Sequence, residues 1–368
     1  MSGGVDSSVT AHLLKEQGHE VIGMMMKLWT DPLAPEASRG NPKSCCSVEH
    51  IQRARTAADR LDIPFYVVDA EEAFRCNVVE PFVRGHARGE TPNPCVDCNK
   101  LIKFGLLFDK AEELGCDALA TGHYARTAKE KQNDGSTTLT TGGSVRYLLL
   151  EAVDANKDQS YYLYTLTQEK LKKILFPLGN MLKEDVYKLA KKYGISIPTE
   201  YRETQDVCFY PEKKKKAFLK RYIDDPEEGD IRTEDGEKVG THEGLPFYTV
   251  GQRKGLGIGG LKIPLHVTRK DSETNTVYVA EDGSDLSTDV HADALSWISW
   301  SPKESQKIQF LAKVHSTAEK KPGTLQYAGS SGMFRFDEPQ RGIAPGQSLV
   351  LYRNHEIVGG GTIVTEVK

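Results

Sequence analysis

Val9, Leu13 and Leu14 recur at helical spacing behind a glycine pair, Gly3-Gly4, and the pattern stops near Gly18. It predicts a helix that begins where the glycines end. Residues 20–28 follow as an apolar run bounded by charge and predict a strand. Residues 31–43 hold three prolines and predict a loop. Ser47 suits an N-cap, and Val48, Ile51, Arg55, Ala58 and Leu61 then mark one face of a second helix. Residues 65–69 predict a short buried strand, 101–114 an amphipathic helix closed by Gly115, and 118–121 another short strand. Strands alternating with helices predict a parallel α/β sheet. Ligands of such sheets bind beyond the carboxyl ends of the strands. Those ends would lie near the glycine loop, Met26 and Gly122-His123.

Residues 129–143 are polar and rich in threonine and glycine, which predicts a loop or hairpin. Two helices are expected at 168–175 and 183–193, separated by Pro177 and Gly179. From about Gly229 the helical periodicity vanishes. Residues 277–280, 308–314, 324–327, 333–336, 348–352 and 357–367 read as strands between Gly, Pro, Asn and Asp turns. Short strands spaced in this way predict a small barrel.

A chain of 368 residues should form two or three domains. No apolar run approaches a membrane span and no signal peptide is visible, so a cytoplasmic protein is expected. The net charge of −4 excludes a generally basic nucleic-acid binder and leaves RNA contact to local patches. Seven cysteines in a chain this long do not make a disulfide framework. One close Cys-x-x-Cys pair suggests a reducing compartment and thiols used for chemistry or metal binding.

Four segments carry candidate chemistry. In Ser2-Gly3-Gly4-Val5-Asp6-Ser7 the glycines let backbone N–H groups approach an anion and take positive φ. The helix behind adds the positive end of its dipole, so an oligophosphate fits there. The loop lacks the Gly-Lys-Ser/Thr of a Walker loop, which disfavours γ-phosphate transfer. The second segment is Thr91-Pro92-Asn93-Pro94-Cys95-Val96-Asp97-Cys98-Asn99-Lys100. Its prolines exclude regular structure, and Cys98 is expected at the N-terminus of the 101–114 helix, where a thiol pKa is lowered. Half of a zinc site and a thioredoxin-like redox pair remain alternatives on these residues alone. Cys208 is the third candidate; an isolated cysteine between Val207 and Phe209 is more often a small core residue. Cys45 and Cys46 read as structural. The fourth candidate is basic: the run 213–216 with Lys220 and Arg221, and the glycine-rich 251–260 loop with Arg253 and Lys254. Tyr161, Tyr162 and Tyr164 read as packing residues.

SGGVDSS, TPNPCVDCNKLIKFG, ATGHYAR, KDQSYYLY, ETQDVCF, FYTVGQRKGLGI and APGQSLVLY occur in this order from residue 2 to near the C-terminus. Together they resemble the bacterial tRNA-specific 2-thiouridylases of the N-type ATP pyrophosphatase superfamily. The resemblance implies a Rossmann-like parallel-sheet pyrophosphatase domain at 1–204, whose first strand would precede the glycine loop and is not within this sequence. It implies a small mixed central tRNA-binding domain at 205–276 and a C-terminal β-barrel at 277–368.

The implied reaction is ATP-dependent 2-thiolation of the wobble uridine, U34. Uracil O2 is adenylated, pyrophosphate leaves, and a persulfide sulfur replaces the activated oxygen with loss of AMP. ATP with Mg would be co-substrate. Partners would be tRNAs with Lys, Glu or Gln anticodons and a sulfur-donor protein or persulfide relay. By correspondence Cys208 carries the persulfide and Cys98 is the nucleophile that releases it, the two ending as a redox disulfide. Ser2, Gly3, Gly4, Val5, Asp6, Ser7, Met26 and Gly122 would bind ATP. Asn93, Pro94 and Cys95 would meet the target base, and His123, Lys157, Asp158, Gln159 and Gln347 the tRNA. Many members have Asp at the position of Cys95. The Cys95 branch implies an alternative route through an iron–sulfur cluster held by Cys95, Cys98 and Cys208. Where members often carry an Arg-Tyr-Arg strand, this chain reads Val314-His315-Ser316.

Overall fold

The computed structural model describes residues 1–35, 48–131, 145–195, 207–210, 212, 215–258, 265–281 and 286–365. Helix α1 (Val5–Glu16) starts directly behind the glycine pair and leads to strand β1 (Gly23–Lys27). Helix α2 (Val48–Leu61) precedes β2 (Phe65–Asp69), which runs parallel to β1 with Gly23 opposite Phe65 and Lys27 opposite Asp69. A second parallel pair joins β3 (Leu119–Ala120) to β6 (Ile174–Leu175). The expected parallel pairing is therefore present, but as two pairs with no hydrogen-bonded strand joining them among the described residues. β2 is not buried: Tyr66 and Val67 are 48% and 40% exposed, since β2 has a paired neighbour on one side only among those residues.

Between β2 and β3 the chain is helical over α3 (Glu71–Phe74), a wide turn at Arg75–Val79 and α4 (Glu80–Ala87). A second helical run starts with α5 (Pro94–Asp97), continues through wide π-type turns at Cys98–Leu106 and ends with α6 (Leu107–Glu113). Its start lies seven residues before the predicted one at 101. Pro94 explains this: at the first helical position its missing N–H has no intrahelical role and its φ is already helical. Helix α7 (Gln168–Lys172) is shorter than expected; Thr167 caps it by accepting from Lys170 N. Ile174, which the periodicity assigned to this helix, is buried as the partner of Leu119 in the parallel pair. Helix α8 (Lys183–Lys192) lies against α1.

The 129–143 reading is met in part. β4 (Arg126–Lys131) and β5 (Val145–Leu150) are the arms of an antiparallel hairpin, and the tip lies outside the described residues. Helix α9 (Lys215–Leu219) opens the middle region. β7 (Gly229–Thr233), β8 (Lys238–His242), β9 (Leu265–Asp271) and β10 (Thr276–Glu281) form one four-stranded sheet. Residues 277–280, expected as the first barrel strand, therefore pair with β7 and β9, and Val277 and Val279 fill the core beside Ile231 and Val267.

Six strands close the C-terminal barrel: β11 (Ser287–Trp297), β12 (Lys307–Lys313), β13 (Lys321–Ala328), β14 (Ser331–Gln340), β15 (Ser348–Arg353) and β16 (Glu356–Val364). The order is β11-β14-β13-β12-β15-β16, and β16 returns to β11. β11 has no sequence counterpart in the strand reading, because its STDVHADALSW run is polar and buries only Val290 and Ala292. The β4–β5 hairpin extends the barrel sheet, with Leu149 and Leu150 opposite Ile357 and Glu356. One apolar cluster consequently runs from Phe104 and Leu149 into Val350 and Tyr352 of the barrel. A second joins Phe74, Phe82 and Ile102 to Phe218 and Val277 of the middle region. Each fully buried Leu or Phe in such a cluster stabilises by about 1.5–3 kcal/mol.

Candidate active site

Gly3 takes φ +72°, and a Cβ there would lie 2.4 Å from the His50 carbonyl oxygen. The position therefore demands glycine. Gly4 has φ −89° and ψ 166° as the N-cap of α1, so the expected positive φ holds for Gly3 alone. The loop is closed by its own hydroxyls. Ser7 Oγ donates to Gly4 O at 3.1 Å and accepts from Ser2 N at 3.0 Å, while Ser8 Oγ donates to Gly4 O at 3.0 Å. The Val5, Asp6 and Ser7 amides form the first turn, whose N–H groups have no intrahelical acceptors. Together with the helix dipole they make an anion cradle. Gly122 seats against this turn: a Cβ there would be 3.1 Å from Asp6 C and from Ser7 N. Met26, at the end of β1, packs against both apolar clusters.

Asp6 faces two side chains that sequence reasoning missed. Lys183 Nζ lies 2.6 and 2.8 Å from its two carboxylate oxygens, and Tyr124 OH donates to Oδ1 at 3.2 Å. The Lys183 side chain is only 8% exposed and lies over the Tyr124 and Tyr187 rings. One local signal pointed to it. Lys183 is a cation at the first position of α8, where the helix dipole disfavours positive charge. Such a placement is stable when an anion faces it.

Cys98 stands in the second turn of its helix, since the helix starts at Pro94. The dipole argument for a lowered pKa, which needs a thiol at the helix end, therefore does not apply at this position. Instead Cys98 is buried in the apolar cluster against which Cys208 also packs. The 207–210 segment is held there by aromatic contacts. The Phe209 ring lies 5.9, 5.3 and 5.4 Å from Phe74, Phe82 and Phe218, and Tyr210 stacks on Phe218 at 5.3 Å. Phe218 belongs to α9, and α9 is tied back to the end of β1. The fully buried Asp31 carboxylate accepts from Arg221 Nε at 2.9 Å and from Tyr222 OH, and Trp29 packs edge-on against Phe218 and Tyr222.

Cys95 does not share this environment. It is solvent-exposed, yet crowding by protein pushes its thiol pKa up, with Lys103 opposing. Lys103 Nζ also meets His123 Nε2 at 3.1 Å, and Thr121 Oγ1 lies 2.8 Å from His123 Nδ1. Burial, aided by Lys103, holds His123 well below its ordinary pKa and hence neutral. An ammonium only donates, so Nε2 accepts and Nδ1–H donates to Thr121. Asp97 is pushed up to about 6 by burial. Cys95, Cys98 and Cys208, all described, do not converge into a group able to hold a metal ion. The iron–sulfur expectation thus does not fit this arrangement, because Cys95 is exposed while Cys98 and Cys208 pack into the apolar cluster.

Several residues expected at tRNA hold the fold internally. Asp158 accepts from Ala152 N at 2.8 Å and Ser160 Oγ at 2.8 Å. Gln159 Oε1 accepts from Tyr124 N at 3.0 Å, and Gln159 N donates to Tyr124 O at 2.8 Å, so it fixes the segment that carries His123. Lys157 is half-buried beside them, and its N–H donates to Asp154 O at 3.0 Å. Gln347 Nε2 donates to Thr91 O at 2.8 Å, next to the Asn93-Pro94 approach. Asn93 caps α5. Tyr161, Tyr164, Phe247 and Tyr248 are buried packing residues. Arg253 and Lys254 are exposed on their loop, whereas Lys216 and Lys220 pair with Glu243. Cys45, Cys46, Lys213, Lys214, Gly259 and Gly260 lie outside the described residues. No described helix is long and apolar enough to cross a membrane.

Three family models match the chain in series: the tRNA methyl transferase HUP domain at residues 1–212, its PRC-barrel domain at 216–281 and the aminomethyltransferase β-barrel domain at 287–363. Fold and loop thus define a HUP-domain protein with two appended β domains. The chain is 45% identical to tRNA-specific 2-thiouridylase MnmA 1 of Caldanaerobacter subterraneus subsp. tengcongensis, with 100% of this chain and 97% of the relative covered. It is 41% identical to MnmA of Carboxydothermus hydrogenoformans (99% and 96% covered) and 42% identical to MnmA of Geobacter metallireducens (99% and 95%). The chain belongs to the tRNA-specific 2-thiouridylase family.

Proposed function

We propose that this protein is a tRNA-uridine 2-sulfurtransferase that thiolates C2 of the wobble uridine, U34, in tRNAs with Lys, Glu or Gln anticodons. Its family membership supports the reaction class. The packing of Cys98 and Cys208 into one apolar cluster, from segments far apart in sequence, carries the sulfur-transfer reading over the methyl transfer that the family-model description mentions. Transfer of a persulfide sulfur needs one thiol to carry the sulfur and a second to release it.

In this reading ATP with Mg lies across the glycine loop. Ser2, Gly3, Gly4, Val5, Asp6 and Ser7 bind its phosphates, and Met26 and Gly122 flank the adenosine. Lys183, held beside the loop by Asp6, would add a cation that stabilises the leaving pyrophosphate, and Asp6 would supply a carboxylate for the Mg that accompanies ATP. Uracil O2 attacks the α-phosphorus and pyrophosphate departs. Asn93, Pro94 and Cys95 line the pocket of the flipped-out base. The terminal sulfur of a Cys208 persulfide attacks C2 and AMP leaves with the former O2. The Cys98 thiolate then attacks Cys208 Sγ. The S–S bond to the base sulfur breaks, 2-thiouridine is released and a Cys98–Cys208 disulfide remains. An external dithiol reduces it, and a sulfur-donor protein reloads Cys208. Lys157 lies at the tRNA-facing edge, which Asp158, Gln159 and His123 hold in place from within, and the reaction takes place in the cytoplasm.

The test is direct. Unmodified tRNA for Lys, Glu or Gln is incubated with protein, ATP–Mg and a sulfur source, and nucleosides are analysed by mass spectrometry. 2-Thiouridine at position 34, dependent on ATP, is expected. Its absence under aerobic and anaerobic conditions overturns the reading.

A further inference from the structure

The turn at 344–348, between β14 and β15, grips the start of the cysteine segment at two points. Thr91 N–H donates to Pro345 O at 2.7 Å, and the Gln347 side-chain amide donates to Thr91 O at 2.8 Å. Both main-chain polar groups of Thr91 are therefore held by the barrel. The approach is backbone against backbone: Gly346 has φ +90°, and a Cβ there would sit 3.0 Å from Thr91 C and 3.1 Å from Pro92 N. The turn is itself fixed. Gly346 N donates to Ile363 O at 2.8 Å, Ile363 N to Gln347 O at 2.7 Å, and Tyr161 OH to Ser348 O at 2.8 Å.

The chain beyond Thr91 is stiff. Pro92 and Pro94 have preset φ, and Pro94 begins the helix that carries Cys95 and Cys98. A displacement of Thr91 is thus passed on to both thiols and to Asn93 rather than absorbed between them. The Gln347 amide has its partner within the protein.

We propose that Gln347 is a positioning residue: through the Thr91 carbonyl, the barrel sets the place of Asn93, Cys95 and Cys98 for sulfur transfer. The assignment rests on the sulfurtransferase reading above for its consequence, but not for its geometry. It differs from a role for Gln347 in gripping tRNA.

Gln347→Ala, and Gln347→Met as a variant of similar length without a donor, separate the two roles in the full-length protein. Positioning predicts that amide exchange at Thr91 and iodoacetamide alkylation of Cys98 both accelerate, by about tenfold for loss of one hydrogen bond, in protein without tRNA or ATP. It also predicts a fall in kcat for thiolation with tRNA affinity unchanged within about twofold. Weakened tRNA affinity with unaltered exchange and alkylation overturns the proposal. The exchange and alkylation measurements need no turnover, so they decide on Gln347 even if the protein fails to thiolate tRNA. If Gln347→Ala does not fold, Gln347→Met carries the same comparison.

Discussion

The glycine-loop side and the thiol side of this molecule are built by opposite means. The loop side is polar and largely local: six consecutive residues, the first turn of one helix and hydroxyls closed on one another within seven residues of chain. Among the described residues its long-range neighbours include Lys183, Tyr124, Gly122 and the His50 carbonyl. The thiol side is apolar and non-local. Cys98 and Cys208 both pack into a cluster assembled from the end of β1, two helical runs and the middle sheet. An anion needs oriented N–H groups, which a short segment can supply. A persulfide needs shelter from water and a defined neighbour, which only distant side chains can supply together.

The largest break in this comparison should come from the thiols. Cys98→Ser and Cys208→Ser should each lower tRNA thiolation by about a thousandfold or more while leaving ATP-dependent pyrophosphate release in place. If thiolation survives either change, the two halves do not divide the chemistry as proposed. Nucleoside mass spectrometry and a pyrophosphate assay on the same samples read both.

Asp31→Asn tests whether the thiol side depends on remote packing. It removes the buried charge on which the half-buried Arg221 and Tyr222 converge, and should destabilise the fold by about 3 kcal/mol in urea unfolding. Alkylation of Cys208 should accelerate below the unfolding transition. Unchanged stability would detach the Asp31 link from the cluster.

Lys183→Ala attacks the loop side. Pyrophosphate release should fall on the order of a hundredfold, with partial recovery in Lys183→Arg. Cys98 alkylation should stay as in the parent protein, since the two sides share little packing. A parallel rise in alkylation would show the halves to be coupled.

The smallest expected effect is a pH dependence at Asp97. Its folded pKa of about 6 lies above the ordinary 3.8 because burial disfavours the carboxylate. Between these values the unfolded chain has lost the proton that the folded chain keeps. Stability should therefore fall as pH rises from about 4 to 6 and level off above, by about 1 kcal/mol for this partly exposed group. Melting temperature against pH should lose this slope in Asp97→Asn. An unchanged slope would assign it elsewhere.

Legibility in the sequence follows the same division. The helix behind Gly3-Gly4, the β1 and β2 positions and most barrel strands follow from periodicity, because each depends on residues a few positions apart. The early helix start at Pro94 was legible in principle from proline at a first helical position. Ile174 and the polar β11 were not legible: their strand character comes from the partners Leu119, β14 and β16. Lys183 carried only a faint local sign, and Gln347 showed none that pointed to Thr91.

By itself, then, the sequence determined the glycine loop ahead of its helix, the order of helices and strands, the presence of paired cysteines and the family these motifs resemble. These are properties of short segments and of their order. Tertiary structure alone decided that Cys98 and Cys208 share one cluster while Cys95 is exposed outside it, that Asp6 meets Lys183, and that the barrel holds Thr91. The physical reason is that burial and hydrogen-bond pairing between distant segments depend on how the layers pack.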